Sequence, residues 1–338
     1  MTFSPIGFPA QPRNDLMSRL IGQLRSQSDI ARQEVVTGLR ADPAATLNGK
    51  VSELLGVEQS LAEIAQYREI IGLASARAAV TQSSLDVLRE LANDLSVNGQ
   101  TALDSSLPAA REAVSVAARQ ALGAAISALN VSFGGRRLFA GDAGDSPAVA
   151  SVEVFMAASA PILEAGPAAG AAYANLAAEF SNVGGLFDTS LYSGGGGNAP
   201  ASEVARGERL AFAQRADAAP IRALLRDLSA LAAAFDPDNA IPEDDRRALA
   251  GQAIAGLRNN AGALVGMASQ VGAAEERMAT VAARNQASEA GLALAHASLA
   301  GRDQFEAAAE LTNLETQLET TYLATARLAN LSMANFLR

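Results

Sequence analysis

The sequence predicts a mainly α-helical protein: an elongated rod of long antiparallel, coiled-coil-like helices drawn from both chain ends, with a small irregular α+β insert at its tip. Three observations predict it. Apolar residues recur at three- and four-residue spacing through long stretches near both ends, which is the mark of a helix face. Alanine supplies much of the 49% apolar content, while aromatics make up only 4% and tryptophan is absent, so the cores should be close-packed helices rather than deep ligand pockets. Between the helical ends, residues 143–201 turn to Ala, Gly, Ser and Pro with no sustained period.

Taken in order, residues 1–13 are Pro-rich and loose. Asn14 or Asp15 can cap a first helix that reaches Thr37, with Leu16, Leu20, Leu24, Ile30, Ala31 and Val35 as its stripe and Gln27 and Ser28 interrupting it. Gly38 is placed to end it, and Asp42-Pro43 to start the next helix as N-cap and N1. That second helix runs to about Leu95 on Leu54, Val57, Leu61, Ile64, Ile71, Leu85, Leu88, Ala92 and Leu95, with a break expected near Gly49, Gly56 or Gly72. Asn98-Gly99 reads as a turn. A third helix, about Leu107 to Val131, carries a small-residue face of Val114, Ala117, Ala121, Ala125 and Ala128.

FGGRRLFAGD (133–142) is a turn-rich exit from the helical half. Beyond it a strand is expected over Val149–Phe155 and a short helix over Ala168–Phe180. Glu203-Val204 and Arg209–Gln214, joined through Arg206-Gly207-Glu208, read as a hairpin. Pro220 suits N1 of a helix to Phe235, and Pro242-Glu243-Asp244-Asp245 the first turn of one reaching about Ala297, with weak points at Gly262, Gly266 and Gly272. After Gly301-Arg302, Asp303 stands three residues before Glu306, the spacing of a capping box. The terminal helix that follows contains no Gly or Pro and would be roughly 50 Å long at ~1.5 Å per residue. Leu311, Leu314, Leu318, Thr321, Thr325, Leu328, Ser332 and Asn335 make a seam along it, with Tyr322, Leu331 and Phe336 beside it. A seam needs a partner, so residues 1–38 and 303–338 are expected to order on assembly.

Domain boundaries follow from this nesting. Residues 1–40 with 303–338 form a terminal helical domain, 41–141 with 236–302 a helical rod, and 142–235 a small variable insert with a hairpin. The assembly interface is expected at Leu16, Leu20, Leu24, Leu311, Leu314, Leu318, Tyr322, Leu328, Leu331 and Phe336.

Several function classes find no footing. The net charge is −10 and the only lysine is Lys50, so no nucleic-acid groove is expected. With no cysteine there is no disulfide, thiol chemistry or Cys-ligated metal. No stretch approaches the length of a membrane span, and MTFSPIGFPAQPRNDL lacks the basic and apolar regions of a Sec signal peptide. His296 is the only histidine and lies in LALAHASLA on a helix, where an ordinary structural or exposed residue is expected. The acidic run Asp236 to Asp245 matches a calcium loop only in its first two acids, Ala240 and Ile241 standing where a ligand and the turn glycine belong. Asn48-Gly49-Lys50 lacks the first glycine and the Ser/Thr of a phosphate loop. Asn130-Val131-Ser132 matches a glycosylation sequon, and the tetraglycine 194–197 reads as a flexible linker or turn. No catalytic residue, metal site or cofactor is expected.

Four stretches resemble the flagellin family, and within it the hook–filament junction proteins of the hook-associated protein 3 type. Glu34 to Pro43, EVVTGLRADP, is similar to the family's SSG-x-R passage before a DP or DD turn. Leu85 to Asp94, LDVLRELAND, resembles the end of the second helix in flagellins. GRRLFAG, within Asn130 to Gly141, resembles the exit from the first helical half. Asp303 to Leu311, DQFEAAAEL, is similar to the C-terminal D-x-F-x-x-A-x-x-L helix. Their order and their distances from Met1 and Arg338 carry the resemblance over about 1–141 and 242–338. The NTN start and the GLAI passage of filament flagellins are missing, which favours a junction protein over a filament subunit. The resemblance implies a non-enzymatic structural subunit of the bacterial flagellum, exported through the flagellar type III channel and located outside the cell. It implies self-association as a helical layer, contact with a neighbouring hook-associated protein and with flagellin, and an export chaperone. A filament flagellin, or a cytoplasmic coiled-coil signalling or adaptor protein, are the competing readings.

Overall fold

The computed structural model describes residues 11–43, 51–165 and 169–336. Among the described residues its long α-helices are α1 (Gln11–Thr37), α2 (Val51–Asp104), α3 (Pro108–Leu129), α4 (Val152–Glu164), α5 (Ala169–Ser181), α6 (Ala219–Ala234), α7 (Glu243–Ala300) and α8 (Gln304–Phe336). A two-stranded ribbon, β1 (Ser132–Phe133) with β2 (Arg136–Arg137), follows α3; a second, β3 (Ser202–Ala205) with β4 (Glu208–Leu210), precedes α6. The mainly α fold with a small strand-bearing insert is therefore as the periodicity implies.

The chain divides into two units, Met1–Ile64 with Gln286–Arg338, and Ala65–Asn285. The core of the second centres on α6, whose Ile221, Leu224, Leu225, Leu228 and Ala230 to Ala234 are all buried. A helix apolar on nearly every side belongs inside. It packs against α3, α4 and α5, and Ser115 on α3 donates its hydroxyl to the Ala232 carbonyl at 2.7 Å. Phe155, Phe180 and Phe187 pack with ring centroids 5.7 to 6.5 Å apart, and Tyr192 stacks on Phe187 at 6.1 Å.

Several local expectations are corrected. Asn98-Gly99 is not a turn: α2 runs through it to Asp104. A Cβ on Gly99 would stand 2.9 Å from Ile254 Cγ1 of α7, so the glycine is there for close approach of two helices rather than for a bend. Likewise α2 is unbroken at Gly56 and Gly72, and α7 at Gly262, Gly266 and Gly272. Gly49 lies outside the described residues. The strand expected over 149–155 is the start of α4, which buries Phe155, Ser159 and Leu163 at spacing four; only Val149 makes a bridge, to Tyr192. The first helix already includes Gln11, so Asn14 and Asp15 sit inside it rather than capping it.

The tetraglycine is packed, not free. Asp142 donates its amide to Gly197 O at 3.0 Å and accepts the Gly197 amide on Oδ1 at 3.2 Å, while Gly195 N donates to Ala140 O. A Cβ on Gly195 or Gly197 would collide with the Asp142 carboxylate. The FAGD turn and the glycine run are thus two halves of one contact.

Candidate assembly interface

The residues expected at the interface fall where the two chain ends meet. Gly38 ends α1 in the left-handed region (φ +67°), its amide donating to Glu34 O at 2.8 Å. The chain then runs beside the α7–α8 corner: Arg40 N donates to Ala300 O at 2.8 Å and Arg302 N to Gly38 O at 3.0 Å. Asp303 caps α8 as expected, accepting on Oδ1 from the amides of Phe305 (2.8 Å) and Glu306 (3.3 Å).

A buried carboxylate locks this corner. Glu34 accepts the Ala41 amide on Oε1 at 2.9 Å and the Arg302 guanidinium on Oε2 at 2.7 Å; Arg302 also holds Glu310. The residues of two separate sequence stretches, EVVTGLRADP and RDQFEAAAEL, are therefore one structural device.

From there α1 and α8 run antiparallel and pack along each other. Leu24, Ala31 and Leu314 are buried in the contact, and Leu311 and Leu318 are half-buried beside them. Ser28, which reads as an interruption in the sequence, is buried and lies on the α8-facing side with Leu24, Ala31 and Glu34. Arg32 pairs with Glu315 at 3.0 Å, and the Arg25 guanidinium lies 5.6 Å over the Tyr322 ring. A groove of about 500 Å³ lies along Ser28, Arg32, Leu318, Tyr322 and Leu323.

Of the residues expected at the interface, the fold brings Leu24, Leu311, Leu314 and Leu318 together in one chain, without a partner molecule. Leu16 (67% exposed) and Leu20 (43%) stay outside that contact, and Tyr322 is 41% exposed. The side chains of Leu328, Leu331 and Phe336 lie outside the described residues, although α8 continues through them. Phe305, 90% exposed at the head of α8, and Val36, 79% exposed, fall outside the stripes read from the sequence, while Ile30, on the α1 stripe, is exposed. Phe305 lies in the D-x-F pattern, which marks the position but not its exposure.

The other candidates have ordinary occupations. His296 Nε2 sits 3.5 Å from Glu58. Asp236 pairs with Arg119 at 2.8 Å and Glu243 with Arg111 at 2.6 Å. Among the described residues no three His, Asp or Glu are placed to hold a metal ion, and no helix is long and apolar enough to cross a membrane. The Asn130 side chain accepts the amides of Ala148 and Val149 and donates to Val149 O, so the sequon asparagine is a structural tie. Asn48 to Lys50 lie outside the described residues.

No protein-family model and no curated protein matches the chain. Solved structures do. A protein assigned as a flagellar hook-associated protein from Vibrio parahaemolyticus superposes with a TM-score of 0.55 at 14% identity, over 73% of this chain and 95% of that one. FlgL of Bacillus cereus superposes with a TM-score of 0.53 at 16% identity, over 71% of this chain and 98% of its own. At these identities the likeness establishes the fold: the chain has the architecture of these hook-associated proteins.

Proposed function

We propose that the chain is a non-enzymatic structural subunit of the bacterial flagellum. It is exported through the flagellar type III channel and polymerises as the hook–filament junction layer through its terminal helices. In that assembly residues 1–40 with 303–338 are the inner layer, 41–141 with 236–302 the rod, and 142–235 the outer insert. Its neighbours are copies of itself, another hook-associated protein and flagellin, with a chaperone before export, and its place is outside the cell. The observation that carries this reading is the half-closed terminal seam. The α1–α8 pair buries few apolar side chains and turns Leu16, Leu20, Ile30, Tyr322 and Leu323 outward, on a fold shared with hook-associated proteins. Apolar faces of that kind gain free energy when covered, roughly 25 cal/mol per Å².

The test is location and incorporation. The protein is expected in sheared flagella, with immunolabel at the hook–filament junction of isolated hook–basal bodies. Leu318→Asp, which puts a charge on the seam, is expected to abolish incorporation while α3 and α6 stay folded. Label along the whole filament would instead make it a flagellin, and normal motility with Leu318→Asp would refute assembly through the seam.

A further inference from the structure

Asn98-Gly99 has the composition of a turn but stands inside α2, and the pair has a chemistry of its own. The side-chain carbonyl carbon of an asparagine, Cγ, is open to attack by the main-chain nitrogen of the next residue. Glycine, with no Cβ, hinders that attack least. Two features of the fold bear on it. The first is the continuity of α2 from Val51 to Asp104. In a helix the Gly99 amide is committed to the carbonyl four residues back, at Leu95, and the backbone holds it away from the preceding side chain. Leu95 and Ala102 are buried on either side, which pins this stretch to the core. The second is the close approach at Gly99: a Cβ would stand 2.9 Å from Ile254 Cγ1 and 3.5 Å from Leu231 Cδ2. Packing therefore requires the glycine and leaves no room for a longer main chain there. Asn98 is exposed.

We propose that Asn98 is a deamidation site gated by folding: closed while α2 is wound, open when it unwinds, and a block to refolding once isoaspartate has formed. On unwinding, the Gly99 nitrogen gives up its proton and bonds to Asn98 Cγ. The side-chain nitrogen leaves with a proton as ammonia, and a succinimide ring remains. Water, the one co-reactant, then opens the ring at either of its carbonyls. One opening gives aspartate in an unaltered chain. The other gives isoaspartate, in which the main chain runs through the side-chain Cβ and is one methylene longer. Aspartate adds a charge at an exposed position and still fits α2. Isoaspartate does not: the added atom breaks the regular spacing of the helix hydrogen bonds, at the place where Ile254 and Leu231 leave no space. The site thus limits how long an unfolded chain stays able to fold, independently of any role in the flagellum.

The full chain is incubated at mildly alkaline pH, folded in buffer and unfolded in guanidinium, and position 98 is followed by peptide mapping that separates aspartate from isoaspartate. Asn48-Gly49, the same dipeptide, is the internal clock of the unfolded sample. In guanidinium the two pairs should react at similar rates. In the folded chain Asn98 should react at least about 100-fold more slowly than in guanidinium, because it waits on local opening of α2. After the denaturant is removed, in an Asn48→Gln background, chains with isoaspartate at 98 should lose hydrogen-exchange protection across Leu95 to Ala102 by about tenfold or more. Asn98→Asp, which carries the charge without the methylene, should keep wild-type protection, and Asn98→Gln should abolish the reaction. Equal rates in the folded and unfolded chain would overturn the gate. Isoaspartate-bearing chains that regain wild-type protection, or an equal loss in Asn98→Asp, would overturn the block on refolding.

Discussion

Truncating Leu314 to alanine tests how the terminal seam is held. Leu314 is 8% exposed and meets Leu24 and Ala31, with only Leu311 and Leu318 beside them. Leu→Ala removes three carbons, worth about 0.8 kcal/mol each, or about 2.4 kcal/mol. A two-helix contact is open at its side, so solvent fills the gap and the additional cavity penalty of a closed core is small. At 1.4 kcal/mol per factor of ten, Leu314→Ala should lower hydrogen-exchange protection of α1 and α8 amides by about 50-fold. The assay is exchange by mass spectrometry on the dilute full chain. Amides of α3 and α6 should not respond, because Leu122, Leu224 and Leu228 belong to a separate cluster. An equal loss of protection in α3 and α6, or no change in α1, would refute a seam held by these few side chains.

Glu34→Ala should open the same region by about 1–3 kcal/mol, since it removes the acceptor of the Ala41 amide and one of the two carboxylates on Arg302, which keeps Glu310; exchange at Gly38 to Ala41 reads it directly. Gly72→Ala should raise the melting free energy by about 0.5–1 kcal/mol, because a Cβ there meets nothing and alanine is the better helix former. Gly99→Ala should instead be destabilising by about 1 kcal/mol or more: overpacking against the buried Ile254 outweighs the same propensity gain. Glu208 accepts from Arg277 at 2.9 Å and Arg284 at 2.8 Å, which hold its carboxyl below the usual range. Its clamp on the β3–β4 ribbon is therefore complete above the ordinary glutamate pKa, ~4.3, and lost as pH falls through the lower folded value. Ribbon amides should lose protection, measured against their intrinsic exchange rates, on acidification, and Glu208→Gln should reproduce that at neutral pH.

Much of the helical layout is legible because capping and termination are local chemistry. Asp303, Gly38 and Pro220 each do what their residue type dictates, and the Gly207 turn (φ +72°) joins β3 and β4 where the pattern places it. What was not legible depends on what stands opposite. Gly99 in isolation reads as a turn residue, and only Ile254 across the helix contact explains it. The tetraglycine 194–197 reads as a linker or turn, and only the Asp142 carboxylate shows why side chains are excluded at Gly195 and Gly197. The run VEVF carries β-formers at alternate positions, and the burial of Phe155, Ser159 and Leu163 overrides that propensity in favour of helix. In the α1–α8 contact, spacing found Leu24, Leu311, Leu314 and Leu318. It could not assign Ser28 and Glu34 to the seam, because polar residues carry no apolar period.

Those two polar residues bear on how the terminal pair works. A contact whose inner face alternates Leu24, Ser28, Ala31 and Glu34 gains little from burial compared with an all-leucine seam. What it gains is register. Glu34 can meet Arg302 and Ala41 in one alignment only, and a slip of one helical turn, about 5.4 Å, would leave a buried charge without its partner. Arg32 with Glu315 and Arg25 over Tyr322 repeat the same alignment further along. Alignment is thus fixed inside the pair by polar groups. Meanwhile Leu16, Leu20, Ile30 and Leu323, which could have strengthened it, face outward. An isolated two-helix element has no use for that division. On the proposed reading, an element that presents a fixed apolar surface to sister copies would have one, because the surface is then set before association and less ordering remains to oppose it.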